Sequence, residues 1–100
     1  MTIKILKRPP SGVVFQLEGR LDAATAPTAQ EQLLKSAVGY TSITLDLSLL
    51  QYISSAGLRV LLALQKQANK QGCEMTLTNV SPAITEVFEM TGFLGFLHVV

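Results

Sequence analysis

The chain has 100 residues, of which 48% are hydrophobic and 15% are charged, with a net charge of +1. This length fits one domain over residues 1–100, and this composition excludes an intrinsically disordered chain. No Lys/Arg cluster extends beyond Lys7 and Arg8, so the charge pattern argues against direct binding of nucleic acid. No apolar run is long enough to span a bilayer, and no secretory signal pattern precedes the first strand-like segment. We therefore expect a cytoplasmic protein that does not insert into a membrane.

Side chains suited to catalysis or metal binding are scarce. Cys73 is the only cysteine and His98 the only histidine, which argues against a disulfide framework and against thiol or multi-histidine metal sites. The two aspartates, Asp22 and Asp46, lie in separate segments, and no glycine-rich phosphate loop occurs. The sequence therefore predicts neither an enzyme nor a bound metal or cofactor.

The N-terminal segments predict a hairpin and then a helix. Residues 2–8 and 13–17 have strand-like alternation, and the turn residues Pro-Pro-Ser-Gly separate them. Lysines and the adjacent prolines place the first strand at a sheet edge. Apolar residues at spacings of three and four predict a helix over about 25–38, with Thr28 and Glu31 as a capping box and Gly39 as the stop.

The middle of the chain predicts a strand followed by an amphipathic helix. Alternating leucines and polar residues, continued by an apolar stretch, indicate a strand over residues 43–53 with Leu49 on its apolar face. Residues 58–71 place leucines on one side and mostly basic or amide side chains on the other. Gly72 then ends this helix.

The C-terminal third predicts one more strand and one more helix. Residues 73–78 alternate as a strand, and Ser81 followed by proline is typical of a helix start. Gly92 ends that helix, and residues 96–100 form either a short final strand or a packed tail. The order β-β-α-β-α-β-α-(β) predicts an α/β domain with a mixed four- to five-stranded sheet and helices mainly on one face.

Residues 54–57, Ser-Ser-Ala-Gly, are the most informative segment. They lie where the central strand gives way to the central helix, so both hydroxyls lie at the positive end of a helix dipole. Ser54 or Ser55 could cap the helix, and phosphorylation there would add a charge of about −1.5 to −2. Position alone leaves both interpretations open, because serine is a common helix cap.

Three stretches resemble one family. Residues 52–62, Tyr-Ile-Ser-Ser-Ala-Gly-Leu-Arg-Val-Leu-Leu, resemble the signature of STAS domains, the sulphate-transporter and anti-sigma-factor-antagonist family. Residues 19–25, Gly-Arg-Leu-Asp-Ala-Ala-Thr, are similar to the family's turn before its first helix. Residues 81–93, Ser-Pro-Ala-Ile-Thr-Glu-Val-Phe-Glu-Met-Thr-Gly-Phe, are similar to its closing helix. The resemblance covers about residue 13 to the end and is closest to the bacterial anti-sigma factor antagonists.

The resemblance implies a set of site residues. Counted from Gly57, the phosphorylated serine of the family corresponds to Ser55, while Ser54 replaces the usual aspartate and Ala56 the usual second hydroxyl. The missing carboxylate beside the acceptor implies altered kinase geometry or phosphatase release.

Asp22 and Arg59 complete the candidate surface. Asp22 matches the family's aspartate at the kinase-binding surface, although an Asx turn or cap before the first helix also explains an aspartate there. Arg59 lies in the first turn of the central helix, where it is either a solvated side chain or a contact for a phosphate or an acidic partner.

The resemblance implies partner switching in the regulation of transcription. The unphosphorylated chain would bind an anti-sigma factor serine kinase through the surface around Asp22 and residues 54–57, freeing the sigma factor. Phosphorylation of Ser55 would release the kinase, and a serine phosphatase would reset the cycle. The alternative within the family is a scaffold subunit that permanently braces the ATPase of a lipid-transport ABC complex, with the serines as cap and contact only.

Overall fold

A mixed sheet of four strands, in the spatial order β1-β2-β3-β4, frames the protein. The computed structural model describes residues 1–100. Its elements in chain order are β1 (Thr2–Arg8), β2 (Gly12–Leu21), α1 (Ala26–Ser36), β3 (Ser42–Ile53), α2 (Ser55–Lys70), β4 (Glu74–Thr78), α3 (Pro82–Thr91) and a short 3₁₀ helix (Phe93–Gly95). The β1 and β2 strands form an antiparallel hairpin, and β2, β3 and β4 run parallel. The predicted α/β fold with a mixed sheet is confirmed.

All three helices pack on the same face of the sheet. One cluster of 24 buried residues draws on three strands, on every α-helix and on the C-terminal tail. Val14 is the one buried hydrophobic residue outside this cluster, and its neighbours on the opposite face include the half-buried Gln16, Thr44 and Asp46. The prediction of helices mainly on one face is therefore confirmed.

The last residues form a packed tail with a single β-bridge to β4. The backbone N–H of Leu77 donates to the carbonyl of His98 at 2.9 Å, and the N–H of Val100 donates to the carbonyl of Leu77 at 3.0 Å. Leu97 is buried in the core cluster, which turns the chain inward just before the bridge. Of the two predicted alternatives, the packed tail describes these residues better than a full strand.

Local signals at the ends of α3 agree with the structure, and the capping signal predicted for the start of α1 does not. The N–H of Ile84 donates to Ser81 Oγ at 3.2 Å, and Gly92 ends α3 with a φ of 76°. The predicted capping box of Thr28 and Glu31 is wrong, because α1 already begins at Ala26 and both residues lie inside it.

The end of α1 is held by side chains from α2. Gln67 Nε2 donates to the carbonyl of Leu34 at 2.9 Å, and Gln71 Nε2 donates to the carbonyls of Ala37 and Tyr40, each at 3.0 Å. The last carbonyls of a helix have no partner within it and need one elsewhere. The two glutamine side chains supply hydrogen-bond donors to carbonyls at the end of α1, and they join the two helices at this end.

Two bulges break the alternation that the sequence predicts for β3. Paired residues run Gln16 with Asp46, Glu18 with Leu49, Gly19 with Leu50 and Arg20 with Tyr52. Twice, therefore, β3 carries one residue more than β2, and a bulge shifts which side chains face the core. Leu50 is buried in place of Leu49, which is 42% exposed. The predicted inward position of Leu49 is wrong for this reason.

The Asp46 carboxylate organises the first bulge. Its Oδ1 accepts from the N–H of Ser48 at 3.0 Å and from Asn79 Nδ2 at 3.1 Å, and its Oδ2 accepts from Gln16 Nε2 at 3.2 Å. Partial burial acts to raise the pKa of Asp46, but these hydrogen bonds outweigh it and hold the pKa below the ordinary value of 3.8. The charged form of Asp46 therefore stabilises the bulge.

We expect Asp46→Asn to lower the free energy of unfolding by about 1 kcal/mol near neutral pH. Because the pKa of Asp46 is lower in the folded state, its contribution is complete above 3.8 and is lost as the pH falls through the folded value. Urea unfolding should therefore show a difference in the free energy of unfolding between wild type and variant that is larger at about pH 7 than at about pH 3. Glu18→Gln, which removes an exposed carboxylate of β2 that accepts no hydrogen bond, should show no gap at either pH.

Candidate functional site

The segments singled out in the sequence meet where β2 and β3 end. The backbone N–H of Ser54 donates to the carbonyl of Leu21 at 2.9 Å, which joins the turn after β3 to the end of β2. Because β2 and β3 are parallel, α1 and α2 also begin at this end of the sheet. We call residues 19–27 and 52–59 the serine edge.

Ser54 is the residue that caps α2. Its backbone is extended, with φ −99° and ψ 178°, and its Oγ accepts from the N–H of Gly57 at 3.3 Å. Since the cap satisfies one of the free N–H groups of the first turn, α2 begins at Ser55, three residues before the predicted start at Leu58.

Ser55 is exposed and its hydroxyl makes no hydrogen bond within the chain. As the first residue of α2, it lies among backbone N–H groups that carry the positive end of the helix dipole. No acidic residue occurs in this first turn. Chemically, the Ser55 hydroxyl is free to accept a phosphoryl group, while the Ser54 hydroxyl is used by the fold.

Gly57 is a buried residue of the serine edge. A Cβ atom at this position would lie 2.6 Å from the carbonyl oxygen of Leu21 and 2.8 Å from Ile53 Cγ1, closer than atoms can pack. The small residue therefore allows α2 to approach the end of β2. Ala56 beside it is partly buried against the core.

Asp22 forms the turn that leads into α1. Its Oδ1 accepts from the N–H of Ala24 at 3.0 Å and from the N–H of Thr25 at 3.2 Å, so the Asx turn expected from the sequence is present. The hydrogen bond from the backbone of Thr25 is the largest influence on the carboxyl, and with the bond from Ala24 it lowers the pKa of Asp22. Asp22 is therefore a partly exposed carboxylate in a fixed position.

Arg20 and Tyr52 belong to the serine edge, and the sequence analysis did not identify them. The Arg20 guanidinium lies 4.2 Å from the centre of the Tyr52 ring, and its Nε is 3.7 Å from Asp22 Oδ2. Both residues immediately precede the buried residue that ends their strand, Leu21 or Ile53, so alternation directs them to one side. Their matching positions at the ends of two strands were the feature of the sequence that could have predicted this pair.

Arg59 is exposed one turn into α2 and forms no ion pair, since the pair of Arg20 and Asp22 is the only one in the chain. It borders a groove between α1 and α2, together with Pro27 and Glu31. The structure thus brings Asp22, Ser54 and Ser55 to one edge and directs Arg59 toward the neighbouring groove.

No group of three or more His, Cys, Asp or Glu side chains is arranged to hold a metal ion. No helix has both the length and the apolar character needed to cross a membrane.

Comparisons with known proteins agree on one family. The STAS domain model matches residues 3–100. A protein named as the anti-sigma factor antagonist BtrV, from Bordetella bronchiseptica, is 39% identical over 84 residues, which cover 83% of this chain and 72% of that protein. The anti-sigma-B factor antagonist of Bacillus subtilis is 26% identical over 94 residues, covering 94% of this chain and 86% of that protein.

Solved structures show the same fold. The anti-sigma factor antagonist SpoIIAA in its unphosphorylated form has a TM-score of 0.75 at 18% identity, covering 99% of this chain and 87% of that one. The Bacillus cell fate determinant SpoIIAA in the phosphorylated form has a TM-score of 0.73 at 19% identity, covering 99% of this chain and 91% of that one.

The tight packing at Gly57 generates a prediction. We expect Gly57→Ala to lower the free energy of unfolding by about 1–3 kcal/mol, because the added methyl group must displace the Leu21 carbonyl. Gly95→Ala is the matched control, since a Cβ there meets no atom within 4 Å. Urea unfolding of both variants measures the difference, and equal stability of the two would contradict the close approach of α2 to β2.

Proposed function

Because this chain belongs to the STAS domain family, we propose that it is an anti-sigma factor antagonist in a partner-switching pathway. Unphosphorylated, it binds an anti-sigma factor serine kinase in the cytoplasm through the serine edge. The kinase phosphorylates Ser55 and is released, and a serine phosphatase restores the binding form. The chain acts here as ligand and substrate rather than as an enzyme.

The observation that carries this proposal is the different use of the two adjacent serines. The Ser54 hydroxyl caps α2, whereas the Ser55 hydroxyl is exposed and makes no hydrogen bond within the chain. A modification of Ser55 therefore breaks no hydrogen bond of the fold. The relatives that are named as anti-sigma factor antagonists also support the proposed function.

Phosphorylation would act through charge and bulk at the contact surface. It adds a charge of about −1.5 to −2 and three acceptor oxygens, which the helix dipole stabilises in the free protein. In the complex, the same group would have to be desolvated against the kinase, which weakens binding. The similar fit of both SpoIIAA forms to this chain is consistent with a switch that leaves the fold intact.

Ser54 changes the charge beside the phosphate acceptor. The family usually has an aspartate at this position, and here a neutral hydroxyl performs the capping. Asp22 is then the carboxylate of the serine edge, and it is already paired with Arg20. We therefore propose that Asp22 and Arg20 supply the charged contact for the kinase.

The Ser54 and Ser55 variants separate the two serines. After incubation with ATP and the cognate anti-sigma factor serine kinase, intact mass and site mapping should find one phosphate, on Ser55. Ser55→Ala should take no phosphate and keep wild-type stability. Ser54→Ala should lose about 1 kcal/mol of stability with the cap but still be phosphorylated at Ser55.

Binding measurements complete this test. We expect Ser55→Asp to bind the kinase at least about tenfold more weakly than Ser55→Ala, a difference of about 1.4 kcal/mol. No phosphate on Ser55 with an active kinase would refute the switch. Equal affinity of the two variants would favour the permanent scaffold role.

Substitutions of Asp22 separate its structural role from its contact role. Asp22→Asn keeps an oxygen that can accept from the N–H groups of Ala24 and Thr25 but removes the charge. We expect this variant to lose less stability than Asp22→Ala in urea unfolding, because it keeps the accepting oxygen, and to bind the kinase more weakly than wild type. Asp22→Ala should lose both the turn hydrogen bonds and the kinase contact, and wild-type kinase binding by Asp22→Asn would refute the charged contact.

A further inference from the structure

The basic residues of α2 share one stripe of the helix with Ser55. At 3.6 residues per turn, the side chains of four residues leave α2 within an arc of roughly 60° around the helix axis: Ser55, Arg59, Lys66 and Lys70. All four are exposed, and α2 contains no acidic residue. We call Arg59, Lys66 and Lys70 the basic stripe.

Helix stability does not account for the basic stripe. Lys70 is in the last turn of α2, where a cation suits the helix dipole, but Arg59 lies one turn from the start of α2, where the dipole does not favour a cation. None of the three side chains forms an ion pair. Their charges are therefore available to a partner.

The basic stripe borders the groove between α1 and α2. Near the serine edge, Pro27, Ala56 and the acidic Glu31 of α1 line the groove beside Arg59. Farther along, Ala63 lines it beside Lys66 and Lys70. Leu34 lies in both parts and makes them continuous. The 16 residues of α2 give the groove a length of up to about 24 Å, or four helical turns.

We infer that this groove binds an acidic amphipathic helix of the partner protein, with apolar side chains on Leu34 and the alanines and carboxylates along the basic stripe. An apolar groove between two helices is a common receptor for a third helix. Three cations are few beside the 6–10 phosphate contacts typical of DNA-binding proteins, which favours an acidic protein segment. This inference rests on the proposed function, because the partner it describes is the anti-sigma factor kinase.

The basic stripe also couples binding to phosphorylation. Ser55 and Arg59 are four residues apart, so a phosphate on Ser55 lies one helical turn from the guanidinium. The phosphate would pair with Arg59 and repel the carboxylates of the bound helix. Phosphorylation would thus act on the same stripe that holds the partner.

Matched charge reversals test the inference. Lys66→Glu/Lys70→Glu reverses two of the three charges of the basic stripe, and Lys4→Glu/Lys7→Glu makes the same change of net charge on β1, at one edge of the sheet. At about 0.1 M NaCl we expect the first variant to bind the kinase about tenfold more weakly and the second to bind within about twofold of wild type. The difference should shrink at about 1 M NaCl.

Two controls protect the result. Lys66→Gln/Lys70→Gln, which avoids a negative charge in the last turn of α2, should show a smaller loss in the same direction. Circular dichroism of each variant checks that it is folded. Equal affinity of the folded stripe variants and the β1 variant would overturn the inference.

The outcomes distinguish this inference from the proposed function. If the stripe variants bind the kinase normally while Ser55→Asp still releases it, the proposed function is supported and the role of the basic stripe is refuted. If the stripe variants weaken kinase binding while Ser55 substitutions have no effect, the role of the basic stripe is supported and the phosphorylation switch is refuted. The inference of an acidic partner helix would also be overturned if the stripe variants lost affinity for a short DNA duplex or for anionic phosphatidylserine vesicles while their kinase binding stayed unchanged.

Discussion

The close approach of α2 to the end of β2 is the constraint on which the serine edge depends. The first turn of the helix reaches the Leu21 carbonyl because Gly57 has no side chain, and the N–H of Ser54 bonds that same carbonyl. Asp22 follows Leu21 directly, so the contact also brings its turn beside the start of α2. One backbone oxygen therefore positions both halves of the candidate surface.

Adjacent serines at a helix start carry separate tasks here. The Ser54 hydroxyl stabilises the helix, and the Ser55 hydroxyl stays available for chemistry. In the proposed cycle, this separation leaves the cap of α2 intact when Ser55 is modified. The basic stripe then extends the influence of Ser55 along the helix, because its charges follow the same line.

Signals that act within a few residues could be predicted from the sequence, and those that act across the fold could not. Ser81 and Gly92 mark the ends of α3 because a cap and a left-handed glycine need only their own turn. The bulges of β3 depend on pairing with β2, so the burial of Leu50 was not visible in the alternation.

The candidate site follows the same rule. The motif of residues 54–57 pointed to Ser55, but the register of two parallel strands was needed to pair Arg20 with Tyr52. The packing role of Gly57 was not visible in the sequence because its close neighbour, Leu21, is distant in the chain.

The C-terminal tail has a related, long-range effect. By occupying the outward N–H and carbonyl of Leu77, it limits the open edge of β4, while charged residues line the β1 edge. Both edges of the sheet are thereby protected against strand-to-strand pairing with other copies of the chain.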